Sequence, residues 1–322
     1  MIISASRRTD IPAFFSDWFF NRLEDGYVVT QNPFNAKQLT KLQLDASSVD
    51  AIVFWTKNPK PMLDKLHLID EEGIPYYFQY TITPYKNDME PHISADKREL
   101  INCFIKLAHL IGPERVIWRY DPVFFSKKYN IDYQNRAFEK CASLLAGSTK
   151  RVVISYLDMD YNNTRNIKQL GISDGTYDEK VSFAISAATT AEKYNMEIES
   201  CAEEINLEQI GIRHGRCIDP DLIEKISGKY FDRTKPKKDK SQRMACGCAA
   251  SRDIGIYNTC LHGCKYCYAN YSMGTIEGNR AKHDPMSPLL LGQCDASKIE
   301  FNKDQKRQLR RQEDTNQLHF QY

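Results

Sequence analysis

Tyr76-Tyr-Phe-Gln-Tyr-Thr-Ile-Thr83, then a stripe of Leu100, Cys103, Phe104, Leu107 and Ile111, then Gly112-Pro113 and Val116-Ile-Trp-Arg-Tyr120, decide the fold. The first and last runs are short, nearly continuous and apolar or aromatic, as in strands covered on both faces. The stripe between them recurs at spacings of three and four, the period of an amphipathic helix. Gly112-Pro113 supplies the stop. The unit is therefore strand–helix–strand, which places the two strands parallel with a right-handed crossover.

The same unit repeats in both directions. Ile2–Ser6, Tyr27–Thr30, Ala51–Thr56, Val152–Tyr156, Met196–Ser200 and Asp253–Tyr257 read as further strands. Pro12 suits the first turn of a helix running to Glu24, with Gly26 at its exit; Ser94 is the expected cap of the Asp96–Leu110 helix; Asp219-Pro220 opens a helix that Gly228 closes. Six to eight such units predict a (β/α) barrel, whole or partial, with an open doubly wound sheet as the alternative architecture. Residues 1–292 form one domain on this reading, and the polar stretch 293–322 a tail. The charge-dense Lys306–Asp314 is expected as a surface helix or frayed end.

Composition narrows the function. The 322 residues are 42% hydrophobic and 27% charged, enough apolar content for a large core and unlike a disordered chain. Lys and Arg total 44 and Asp and Glu 42, a net charge of +2, so overall charge does not attract nucleic acid. No apolar run reaches the ~20 residues that span a bilayer, and Met1-Ile-Ile-Ser-Ala-Ser-Arg-Arg8 lacks the order of a secretory signal. A cytoplasmic protein without membrane contact is expected, its ten cysteines thiols and not disulfides. Cys103 and Cys141 sit on helical stripes as small core residues, and Cys294 is a lone thiol in the tail.

The other seven cysteines fall between residues 201 and 267. Cys260-Leu-His-Gly-Cys264-Lys-Tyr-Cys267 places three thiolates so that they can hold three irons of a cubane cluster, leaving the fourth iron open. Gly263 allows the tight turn this requires. Zinc also takes thiolates, but its structural sites favour four ligands in paired knuckles. Cys201, Cys217, Cys246 and Cys248 make a complete set of four, suited to a second, closed cubane or to tetrahedral zinc. Cys201 follows a strand and Cys248 precedes one, so the two stand at one end of the sheet only if Ala249–Arg252 spans its possible ~13 Å.

With Tyr266 just before the third cysteine, the triplet resembles the cluster motif of radical S-adenosylmethionine enzymes. The resemblance implies that Cys260, Cys264 and Cys267 ligate a [4Fe–4S] cluster that binds S-adenosylmethionine, with Tyr266 beside the adenine. It also implies reductive cleavage to a 5′-deoxyadenosyl radical that abstracts hydrogen from substrate. Many such enzymes carry an auxiliary [4Fe–4S] cluster, which the resemblance would place here on Cys201, Cys217, Cys246 and Cys248, and take electrons from a reductant such as flavodoxin or ferredoxin. In that superfamily the motif follows the first strand; here it follows the last, which implies a circularly permuted barrel. Ser4-Ala-Ser-Arg-Arg-Thr-Asp-Ile-Pro12, Phe54-Trp-Thr-Lys-Asn-Pro59, Trp118-Arg-Tyr-Asp-Pro122 and Cys246-Gly-Cys248 through Tyr257 resemble domain-of-unknown-function family 1848, whose reaction is not established.

Barrel chemistry gathers at the C-terminal ends of the strands. There stand Arg7, Arg8 and Asp10; Lys57 and Asn58; Gln79 and Thr81; Arg119 and Asp121; Tyr156 and Asp158; and Glu199. Arg119 and Asp121 are the candidate catalytic pair, the plain alternative being an ion pair that ties loops together. His262 is read as a surface residue. The basic Arg233–Arg243 is read as a solvated loop, since it lacks aromatics for stacking on single strands. Two rival functions remain: a zinc-stabilised barrel binding nucleic acid, and an iron–sulfur electron carrier that never cleaves S-adenosylmethionine.

Overall fold

The computed structural model describes residues 1–94, 96–159, 167, 169–232 and 235–311. The expected readings for Arg233 and for the tail beyond residue 311 lie outside the described residues.

Eight parallel strands form one sheet: β1 (Ile2–Ala5), β4 (Ala51–Thr56), β5 (Tyr76–Thr81), β6 (Val116–Val123), β7 (Arg151–Tyr156), β8 (Glu197–Ser200), β9 (Arg213–His214) and β11 (Arg252–Asp253). Their order is β11-β1-β4-β5-β6-β7-β8-β9. The last strand in sequence thus pairs beside the first, Ile3 opposite Arg252 and Ser4 opposite Asp253. From there the sheet follows chain order.

Alternation along the strands sorts side chains to two faces. Ile52, Phe54, Tyr76, Phe78, Val116, Trp118, Val152 and Ile154 pack with helices Ser16–Glu24, Arg98–Ile111, Ile131–Leu145 and Tyr177–Lys193 in the larger core. Cys103 and Cys141 belong to that core, as their helical spacing predicts. Ile2, Ala51, Val53, Tyr77, Ile117 and Val153 form a second core with Ala202, Cys217, Ile218, Cys246, Cys248 and Ala249. Parts of the segments 201–232 and 235–249 therefore cover the opposite face of the sheet instead of leaving it to solvent.

Several readings are corrected. Tyr27–Thr30 is not part of the parallel sheet. It belongs to β2 (Tyr27–Asn32), which pairs antiparallel with β3 (Asn35–Gln43) in a separate hairpin. β3 escaped the sequence reading because Lys37, Gln38, Thr40 and Lys41 make it polar. The two-residue β9 escaped because Arg213-His214 carries no apolar signal. The strand expected over Asp253–Tyr257 leaves the ladder after Asp253, where Gly255 N–H turns back to the Asp253 carboxylate at 2.9 Å. The helix expected from Asp96 starts at Arg98, and Ser94 does not cap it; the Asp96 carboxylate accepts the Arg98 amide at 3.0 Å instead.

The tail is neither a surface helix nor frayed up to residue 311. Its two-residue β12 (Leu309–Arg310) pairs antiparallel with β10 (Tyr230–Phe231). The buried Asp50 carboxylate accepts the Gln308 and Leu309 amides at 2.7 and 2.9 Å and pairs with the N-terminal ammonium at 2.6 Å. A polar sequence docks here because one buried carboxylate gathers its backbone donors. No helix among the described residues is long and apolar enough to cross a membrane.

Candidate functional site

All seven cysteines from 201 to 267 line one cavity of about 320 Å³, at the end of the sheet where β1, β4, β6 and β7 finish. The expected pocket residues Arg7, Arg8, Asp10, Lys57, Thr81, Arg119, Asp121, Tyr156 and Asp158 line it too. Asn58, Gln79 and Glu199 do not. Gln79 stands one layer back, bonding the Cys217 carbonyl at 3.1 Å and Arg119 at 3.3 Å. Glu199 faces elsewhere, 3.6 Å from Arg151.

The three-cysteine loop is held by carboxylates from the first third of the chain. Asp10 accepts the Ala13 amide at the start of helix Ile11–Phe14, the Lys57 amide at 2.7 Å, and pairs with His262 Nε2 at 2.8 Å. His262 is thus buried between two cysteines of the triplet and is not the surface residue expected. Its polarity suggested exposure; a partner 252 residues away removes it from water. Glu90, fully buried, accepts Lys57 and Lys97, each at 2.7 Å, Thr83 at 2.6 Å, and the Tyr266 hydroxyl. Burial opposes the Glu90 charge, but Lys57 and Lys97 outweigh it and hold the carboxyl at about 2. Tyr266 therefore lines the cavity with its ring, packed near Tyr85 and Phe124, while its hydroxyl is committed to Glu90. Neither Glu90 nor Lys97 was singled out in the sequence, since both lie in polar stretches that mimic solvated loops.

The four-cysteine set converges from three segments. Cys201 and Cys217 sulfurs are 3.3 Å apart, and Cys248 Sγ accepts the Ile218 amide at 3.4 Å. The Ala249 amide donates to the Ile218 carbonyl at 3.1 Å, so the stretch before β11 runs beside the one after β9. That contact answers the reach problem posed by Cys248. Arg119 crosses toward this set: Nη1 lies 2.8 Å from Cys217 Sγ, while Nε bonds Asp121 at 3.0 Å. Asp121 in turn accepts the Ser155 hydroxyl. Arg119 and Asp121 are both a mutual ion pair and part of the cavity wall.

Among the described residues no group of three or more His, Cys, Asp or Glu stands in the arrangement of a bound metal ion. The donor chemistry of the two thiol sets nevertheless suits iron or zinc. Backbone amides of His262 bear on Cys260, and those of Ala269 and Asn270 on Cys267. Such N–H groups favour thiolate over thiol. Lys57 stands by Cys264, and Arg119 by Cys217 and Cys201. Burial pushes the Cys264 thiol up to about 12 and raises Cys260 and Cys267 as well, so occupation by a metal displaces protons from these thiols.

Part of the basic loop is paired with neighbouring carboxylates and carbonyls. Lys235 pairs with Asp221, Lys238 donates to the Met244 carbonyl, and Arg243 pairs with Asp158 at 2.8 Å.

A family model described as Domain of unknown function (DUF1848) matches residues 2–269. The chain belongs to the DUF1848 family. The match spans the parallel sheet and both cysteine sets and stops just after Cys267. No curated protein matches the chain. Within this DUF1848 protein, the paired landmarks Ser4, Ser6 and Arg7 at one end and Asp253 at the other meet directly. Asp253 accepts the two serine hydroxyls at 2.8 and 2.6 Å and the Arg7 amide at 2.8 Å.

Proposed function

We propose that this DUF1848 protein is a radical S-adenosylmethionine enzyme built on a partial, circularly permuted (β/α) barrel. The observation that carries the reading is the convergence of seven thiols, in a triplet and a quartet, on one cavity at the end of a parallel sheet. Strand order supports the permutation: β11, which precedes the triplet, lies beside β1, the neighbour that a first strand moved to the end of the chain would keep.

On this reading Cys260, Cys264 and Cys267 hold a [4Fe–4S] cluster and Cys201, Cys217, Cys246 and Cys248 an auxiliary one. When bound, the first would supply an open iron for the amino and carboxylate groups of S-adenosylmethionine and an electron for its reductive cleavage, the chemistry by which hydrogen would be taken from substrate. The chain's own residues build the surroundings. Asp10 and Glu90 fix the triplet loop through His262 and Tyr266. Tyr266, Trp55 and Leu157 exclude water along the cavity wall. Arg119 and Asp121 both line the cavity, and Asp121, with 22% of its side chain exposed against 6% for Arg119, is the more open of the pair and orients substrate there.

The test is anaerobic turnover of the full chain with S-adenosylmethionine and dithionite, standing in for a flavodoxin or ferredoxin. 5′-Deoxyadenosine forms, and Cys264→Ala abolishes it. A colourless zinc protein, or an iron protein that makes no 5′-deoxyadenosine, overturns the reading in favour of its zinc-binding or electron-carrier rivals.

A further inference from the structure

A second cavity opens beside the thiol-lined one and shares Arg7, Arg8, Gln242 and Tyr268 with it. Its remaining walls come from the β2–β3 hairpin, the loop around Ser241, and β11. Where the first cavity is walled by sulfur and aromatic rings, this one is walled by arginines, amides and hydroxyls.

Its charges do not balance. Two aspartates line it, and both are committed. Asp253 accepts the Ser4 and Ser6 hydroxyls and the Arg7 and Gly255 amides. Asp239 accepts the Ser241 amide and hydroxyl at 2.9 and 2.6 Å and pairs with Arg7 at 3.3 Å. Arg8 gives one N–H to the Gly255 carbonyl at 3.3 Å and lies over the Tyr257 ring at 5.3 Å. Among the described residues neither Arg8 nor Arg252 has a carboxylate partner, although both line the cavity. Two guanidinium groups with uncommitted N–H donors on a concave polar surface call for an anion.

We infer that this cavity binds a phosphate group of the substrate, whose reacting end extends past Arg8 and Tyr268 into the thiol-lined cavity. Phosphate fits better than carboxylate because Gln31 and Gln38 add neutral amide donors to the two arginines, and only a phosphate has oxygens enough for all of them. The position of the reacting end rests on the function proposed above; anion binding does not.

Calorimetry on the purified full chain at low salt, with inorganic pyrophosphate and malonate as probes, tests this. Pyrophosphate binds more tightly than malonate, and Arg8→Gln and Arg252→Gln each weaken it by about tenfold or more. Arg310→Gln, remote from the cavity, leaves the affinity unchanged. If Arg8→Gln fails to fold, the exposed Arg252 carries the test alone. Absence of pyrophosphate binding, malonate binding as tight as pyrophosphate, or arginine variants within about twofold of wild type overturns the inference. Cys264→Ala retains pyrophosphate binding, so failure of the cluster reading and failure of this one are told apart.

Discussion

The Arg119 guanidinium donates through Nη1 to the Cys217 sulfur at 2.8 Å, across 98 residues of chain. Its other edge holds Asp121, so a single cation ties the end of β6 to the four-cysteine set. Removing it strands a largely buried carboxylate. Arg119→Gln is expected to cost about 3 kcal/mol in urea unfolding, and Arg119→Lys to recover only part, because a lysine cannot face both partners at once. A loss well under 1 kcal/mol would show that the pair is solvated.

Iron content separates the two thiol sets. Anaerobic reconstitution of the wild type should give about eight irons and eight sulfides per chain, and Cys264→Ala or Cys217→Ala about four each. If each variant instead loses everything, the two sets form one site. Paramagnetic resonance of the dithionite-reduced variants then reports each cluster by itself.

Glu90 makes stability depend on acid. Its carboxyl sits at about 2 in the fold against an ordinary value of 4.5, so its contribution is complete above about 4.5 and drains away as pH falls toward 2. Glu90→Gln leaves Lys57 and Lys97 without their shared partner and is expected to cost about 3–5 kcal/mol at neutral pH. Denaturant titrations of both proteins between pH 6 and 2.5 check the sign: the gap between them narrows with acid. A constant gap would refute the assignment.

Gly255 has no room for a side chain. An added Cβ comes within 2.5 Å of Ser6 Cβ and 3.0 Å of Thr9 Cγ2, where the two ends of the family match meet. Gly255→Ala is expected to lower stability by about 1–3 kcal/mol through overpacking. Ser6→Ala in the same chain relieves part of the loss, and a double-mutant cycle by thermal melting measures the coupling. Additive losses would place the strain elsewhere.

Much of this architecture was legible in the linear order of residues. Period-two and near-continuous apolar runs mark β1, β4, β5, β6 and β7, and spacings of three and four mark the helices between them, because both periods are set by neighbours a few residues apart. The triplet Cys260, Cys264 and Cys267 is equally local: three donors within eight residues form a compact set whatever surrounds them. The polar β3 and the tail strand β12 were not legible, since their pairing is decided by backbone donors and acceptors that composition does not reveal.

What only the tertiary structure decided is which distant segments meet. That β11 pairs beside β1, bringing Ser6 to Asp253 across 247 residues, follows from sheet register and not from any local signal. The same register carries Cys246 and Cys248 to Cys201 and Cys217, buries His262 against Asp10, and leaves Arg8 facing a polar cavity with no carboxylate partner among the described residues. Each depends on closing a long loop, and the entropy of that closure is repaid only by the packed sheet as a whole.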